Sequence, residues 1–129
     1  MFKITAAPLV WWPVTFPGVS EEGEVVENRF EMRFRILTED EHQAFILSVG
    51  ANEKLDVANG TVSAPSEEAA KVVLRIAADW RGVGAENGEP LKFSDEHLRQ
   101  LLNVPNAFNG VMKAYGACRA GRAEVRAGN

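Results

Sequence analysis

Between Arg29 and Ile36 the chain alternates without a break: Arg29, Glu31, Arg33 and Arg35 interleave with Phe30, Met32, Phe34 and Ile36. Successive side chains of a strand point to opposite faces, so this run predicts a strand with four apolar groups on one side and four charges on the other. Upstream, Leu9 to Phe16 is rich in β-branched and aromatic residues, with Val10, Trp12, Val14 and Phe16 at period two. Pro13 within it lacks an amide donor and suits an edge strand. The residues from Pro17 to Glu24 between the two runs predict a long hairpin loop. A two-stranded hairpin is marginal in water, so the face of Phe30, Met32, Phe34 and Ile36 must be covered by helices or by another chain. An open edge of that hairpin would also offer a template for a second subunit.

The rest of the chain supplies helices to cover that face. Thr38-Glu39-Asp40-Glu41 has capping-box spacing, with acids where the helix dipole favours them, and predicts a helix from about Glu39 to Val49 that Gly50 ends. Residues 54–65 read as either a loop or a short hairpin around Asn59-Gly60. A second helix is expected from about Pro65 to Asp79, carrying Val72, Val73, Ile76, Ala77 and Trp80. It runs into a glycine- and proline-rich turn marked by Trp80, Gly82, Gly84, Gly88, Pro90 and Phe93, with the two aromatics pinning the turn to a core. Ser94 then caps a short helix over Asp95 to Leu102, with Phe93 and Leu98 at hydrophobic-staple spacing. A fourth helix after Pro105 carries Phe108, Val111, Met112, Tyr115 and Cys118 at near-helical spacing, and a ridge of Ala107, Gly110, Ala114 and Ala117 allows close approach. The fold class is therefore α+β: an N-terminal antiparallel β-hairpin packed on a bundle of about four α-helices. It forms a single domain over residues 1–120, followed by a disordered basic tail over 121–129.

Chemistry is sparse in this sequence. His42, His97 and Cys118 fall on three different expected helices with no catalytic or metal-ligand spacing, so no catalytic residue, metal or cofactor is expected. Gly82-x-Gly84 follows a helix and completes neither a dinucleotide fingerprint nor a P-loop. The acids Asp79, Glu86, Glu89 and Asp95 do not follow the alternating ligand pattern of a calcium loop. A net charge of −4 disfavours broad contact with nucleic acid. No uninterrupted apolar stretch has membrane-spanning or signal-peptide length, and the single cysteine suits a reducing compartment, so the cytoplasm is expected.

The successions Trp80-Arg81-Gly82-Val83, Glu86-Asn87-Gly88-Glu89-Pro90-Leu91, Phe93-Ser94-Asp95-Glu96 and Leu101-Leu102-Asn103-Val104-Pro105 resemble a family of small tail assembly chaperones of long-tailed bacteriophages and prophages, over roughly residues 72–115. That resemblance implies a non-enzymatic protein of the bacterial host cytoplasm. Such a protein binds the tape measure protein, helps recruit the major tail protein, self-associates, and is absent from the mature virion. It also implies that a frameshifted longer form would extend from the basic terminus. Reversible burial of apolar stripes on a helical partner asks for an apolar surface, and the expected contact residues are Trp11 or Trp12 together with Phe108, Met112 and Tyr115. Adjacent strand positions point to opposite faces, so one tryptophan of the pair is free to meet a partner. The alternative readings are a virion structural subunit, such as a tail completion or connector protein, and a small metal-dependent enzyme or regulator built on His42, His97 or Cys118.

Overall fold

The computed structural model describes residues 1–4 and 8–122. Strand β1 (Leu9–Val19) and strand β2 (Val25–Arg35) form the expected antiparallel hairpin, with Trp12 opposite Met32 and Val14 opposite Phe30. The connection is shorter than the expected eight-residue loop. Ser20 N donates to the Glu24 carbonyl at 2.8 Å, Glu24 N donates to Ser20 Oγ at 3.1 Å, and Gly23 takes a φ of 82° that glycine adopts without penalty. Those bonds close the turn within Ser20 to Glu24 and leave Pro17 to Val19 in the strand.

Helix α1 (Glu39–Ala51) follows, opened by the full capping box: Thr38 Oγ1 accepts from Glu41 N and Glu41 Oε1 accepts from Thr38 N. Gly50 does not end it; the helix closes one residue later, where Asn52 N donates to the Val49 carbonyl. Residues 54–65 contain a small hairpin, β3 (Asp56–Ala58) and β4 (Thr61–Ser63), turned by Asn59 and Gly60, both at positive φ. Asn109 Oδ1 accepts from Val62 N and ties this hairpin to the last helix.

The second helix departs from expectation. Helix α2 (Ser66–Leu74) stops five residues short of Asp79, and Ala77–Arg81 forms strand β5, antiparallel to β2 on the side away from β1. The region read as helix, turn, helix is thus helix, strand, turn, helix. Arg35 N donates to the Ile76 carbonyl at 2.8 Å, and the pairing slips by one residue between Arg33 and Phe34. That bulge brings both Ala77 and Trp80 to the buried face, a spacing of three that also satisfies a helix. The open side of β2 decides between the two, because its unpaired backbone groups are satisfied only if a strand joins it.

Helix α3 (Asp95–Leu102) is capped by Ser94 Oγ, which accepts from His97 N at 3.1 Å, and helix α4 spans Ala107–Ala120. Gly121, at φ 69°, ends α4 with Gly121 N on the Cys118 carbonyl and Arg122 N on the Ala117 carbonyl. Of the basic tail expected over 121–129, Gly121 and Arg122 take part in this helix stop; the rest lies outside the described residues.

Trp12, Val14, Phe16, Phe30, Met32, Phe34 and Trp80 are buried, and the helices α2, α3 and α4 contribute Val73, Leu98, Val111 and Tyr115 to the same core. Edge-on aromatic contacts cross all three strands, from Phe16 to Phe30 (6.4 Å), to Trp80 (6.3 Å) and on to Phe93 (5.3 Å). The small-residue ridge of α4 lies against β1. A Cβ on Gly110 would stand 2.8 Å from the Thr15 carbonyl oxygen and 2.9 Å from Phe16 Cβ, so glycine is what lets this helix reach the strand. Asn106 Nδ2 also donates to the Pro17 carbonyl at 3.2 Å. With Pro13 and Pro17 offering no amide, the outer edge of β1 is a poor template for another strand.

Candidate functional site

Alternation along β2 puts its charges on the sheet face opposite the core, and strand pairing then decides what they meet. Trp11 lies opposite Arg33, Pro13 opposite Glu31, and Glu31 opposite Arg81 on the far strand. The Arg81 guanidinium sits 4.2 Å from the centre of the Trp11 ring, and that of Arg33 lies 5.9 Å from it. Arg81 Nε is also paired with Glu31 Oε1 at 3.0 Å. The indole is thereby held half-buried against two cations, each contact worth about 0.5–1 kcal/mol at an exposed site. Around this platform Arg29 and Arg35 are exposed and make no ion pair among the described residues. Asp79 is turned to its own chain, accepting from Trp80 N at 2.8 Å. The face therefore offers an ordered aromatic ring and two uncommitted guanidiniums, a combination suited to apolar and carboxylate groups of another protein.

The structure separates the other residues proposed for partner contact. Trp12 points into the core, at 7% exposure, so Trp11 is the tryptophan left at the surface. Phe108 and Tyr115 are also buried, at 4% and 2%, and this corrects their placement on an open helical face. The physical reason is that the stripe on α4 is the side by which the helix packs on the sheet. Tyr115 meets Phe34 edge-on with ring centres 5.6 Å apart. Met112 is half-buried at the margin of the same packing. Between β1 and α4 runs a groove of about 500 Å³ lined by Pro13, Thr15, Gly110, Lys113, Ala114 and Ala117.

The turn residues act together as a small fixed loop. Trp80 Nε1 donates to the Leu91 carbonyl at 2.8 Å, Leu91 N to Val83, and Ala85 N to Glu89, while Gly84 bridges to Pro90. Gly82 and Gly88 sit at φ 83° and 86°. His97 Nδ1 lies 2.7 Å from the Lys92 carbonyl and donates to it, locking the entry to α3.

His42, His97 and Cys118 occupy separate settings. His42 faces the Tyr115 ring from α1 (6.3 Å), and burial pushes the Cys118 thiol up to about 11, the reverse of an activated nucleophile. Among the described residues no group of three or more His, Cys, Asp or Glu is placed to hold a metal ion. Nor is any helix among them long and apolar enough to cross a membrane. Arg81 and Arg75 were not singled out by sequence reasoning. The expected helix through Asp79 hid Arg81's place beside Trp11, and only the alternation of Arg29, Glu31 and Arg33 pointed toward that face.

Comparison with protein-family models, with curated proteins and with solved structures yields no match.

Proposed function

We propose that this chain is a non-enzymatic assembly protein that docks a partner on the outer face of its sheet. Following the sequence resemblance, we take it to be a tail assembly chaperone acting in the bacterial host cytoplasm. On that reading the partners are the tape measure protein and, through it, the major tail protein, and the chaperone leaves before the virion matures. The observation that carries the docking surface is the Trp11 ring held by Arg81 and Arg33 beside the free guanidiniums of Arg29 and Arg35. Tryptophan and arginine, here a half-buried Trp11 at the surface with Arg29 and Arg35 exposed around it, are residue types that dominate binding energy at protein interfaces. An ordered ring loses little freedom on binding.

The test is co-expression of the tagged chain with the tape measure protein of its own phage, read by pulldown and by solubility of the tape measure. The wild-type chain should retain and solubilise it, and a triple variant Trp11→Ala, Arg29→Glu, Arg35→Glu with an unchanged circular dichroism spectrum should not. Retention by both proteins would sink the docking surface while leaving the chaperone role. Failure by both, with the chain found by mass spectrometry in purified particles, would replace the chaperone role with that of a virion structural subunit.

A further inference from the structure

Helix α1 rests on the core mainly through one side chain, with Val49 half-buried at the margin of the contact. Phe45 is its single buried residue, edge-on to Tyr115 with ring centres 6.2 Å apart and beneath the Arg75 guanidinium at 5.0 Å. Tethers hold the helix at both ends. Glu39 Oε2 pairs with Arg119 Nη2 at 2.8 Å, Arg75 reaches the Ser48 hydroxyl, and Asn52 Nδ2 donates to Glu68 Oε2 at 3.3 Å. On the outside Ile46 and Leu47 stand 47% and 74% exposed, which is unusual for a helix settled on its only core. Underneath, the fit is incomplete. Within α1 itself, His42 Nδ1 is buried with no well-formed hydrogen bond to a protein group among the described residues. Helix α4, by contrast, buries Ala107, Phe108, Val111, Ala114, Tyr115 and Ala117.

We propose that α1 is a displaceable helix, and that the groove it covers is a docking site for an amphipathic helix of a partner protein with an acidic first turn and one large aromatic side chain. The present occupant defines that chemistry. Tyr115, backed by Phe34, forms the floor that receives an aromatic ring, and Arg75 lies against the same ring. Arg119 lies at the end of the groove where a helix N-terminus brings carboxylates, and it already holds Glu39 there. Segments with few buried apolar contacts open locally while the rest of a fold stays closed, so the groove becomes reachable without global unfolding. This proposal is independent of the tail-assembly reading and of the outer sheet face.

Two measurements on the full chain test it. In native-state hydrogen exchange at neutral pH, amides of residues 43–51 should exchange about a hundredfold or more faster than those of residues 111–119, since local opening bypasses the global transition. Equal protection of the two helices would overturn the proposal. In the second, the probe is a fluorescein-labelled synthetic peptide of residues 37–52, added to the full chain carrying Phe45→Ala, whose own helix has lost its plug. That variant should melt cooperatively and bind the peptide saturably by fluorescence anisotropy. Binding should vanish when the peptide itself carries Phe45→Ala, and weaken when the protein also carries Arg119→Glu. A variant that fails to fold, or one that folds and ignores the peptide, counts against a displaceable helix.

Discussion

Replacing Gly110 and Gly116 by alanine, one at a time, isolates the contact that sets the position of α4. Both lie inside the same helix, where alanine is favoured over glycine by about 0.5–1 kcal/mol. At Gly116 an added Cβ meets nothing within 4 Å, so the whole gain should appear. At Gly110 the same atom would stand 2.8 Å from the Thr15 carbonyl oxygen and 2.9 Å from Phe16 Cβ. Neither is the free end of a flexible side chain: one is strand backbone and the other is anchored directly on it. The clash is relieved only by moving α4 away from β1, an overpacking cost of about 1–3 kcal/mol. After the helix-propensity gain, Gly110→Ala should lose roughly 0.5–2 kcal/mol. For a chain of this length the two variants should differ in Tm by roughly 4–10 °C, with Gly116→Ala above the wild type and Gly110→Ala below it. Urea denaturation would give the same order in midpoint with unchanged slope. Equal stabilisation by both substitutions would refute the close approach of α4 to β1, and with it the account of how the edge of the sheet is protected.

Three further outcomes are expected. Ser94→Ala removes the oxygen that accepts from His97 N and should cost about 1 kcal/mol in urea denaturation. Acid should release α1 before the rest of the fold. The carboxyl of Glu39 is lowered by its hydrogen bond to Arg119 and that cation's charge, helped by Gln43 and His42. Glu41 is lowered by the Thr38 amide and hydroxyl, and Glu68 by Asn52, Lys71 and Lys54. Lowered folded values mean a stabilisation that is complete above the ordinary glutamate range and lost as pH falls through and below it. Hydrogen exchange followed from pH 7 down to about pH 3, corrected for intrinsic rates, should therefore show residues 43–51 losing protection first, and Arg119→Met should lower their protection already at pH 7 and flatten its further fall with pH. Finally, Cys118 should react with iodoacetamide at pH 8 about a hundredfold more slowly in the native protein than in urea, because burial raises its thiol to about 11 and the thiolate is the reacting form.

Local signals in this sequence proved sound where their partners lie close along the chain. The capping box at Thr38 and the N-cap at Ser94 each join groups three residues apart, so the residue types alone specify the bond. The alternation from Arg29 to Ile36 needs no more than the geometry of a pleated strand, and Pro13 announced its edge position through its missing amide. The turn from Gly82 to Phe93 was legible for the same reason, since its glycines, proline and flanking aromatics act within a dozen residues.

What the sequence did not resolve was which partner a segment would choose. Ile76, Ala77 and Trp80 extend the helical pattern of Val72 and Val73, and the bulged strand buries Ala77 and Trp80 at the same spacing. The assignment of Ala77 and Trp80 to β5 depends on the free side of β2, with Arg81 meeting Glu31 across fifty positions of chain. The stripe of Phe108 and Tyr115 posed the same problem: an apolar helix face looks identical whether it awaits a partner or lies on its own sheet. By itself the sequence determined the α+β class, the hairpin, the caps and the fixed turn, because those rest on interactions within a few residues. Only the tertiary structure decided the third strand, the burial of Phe108 and Tyr115, and the pairing of Trp11 with Arg81. Each of those is a choice between surfaces that exist only after the hairpin and helices have formed.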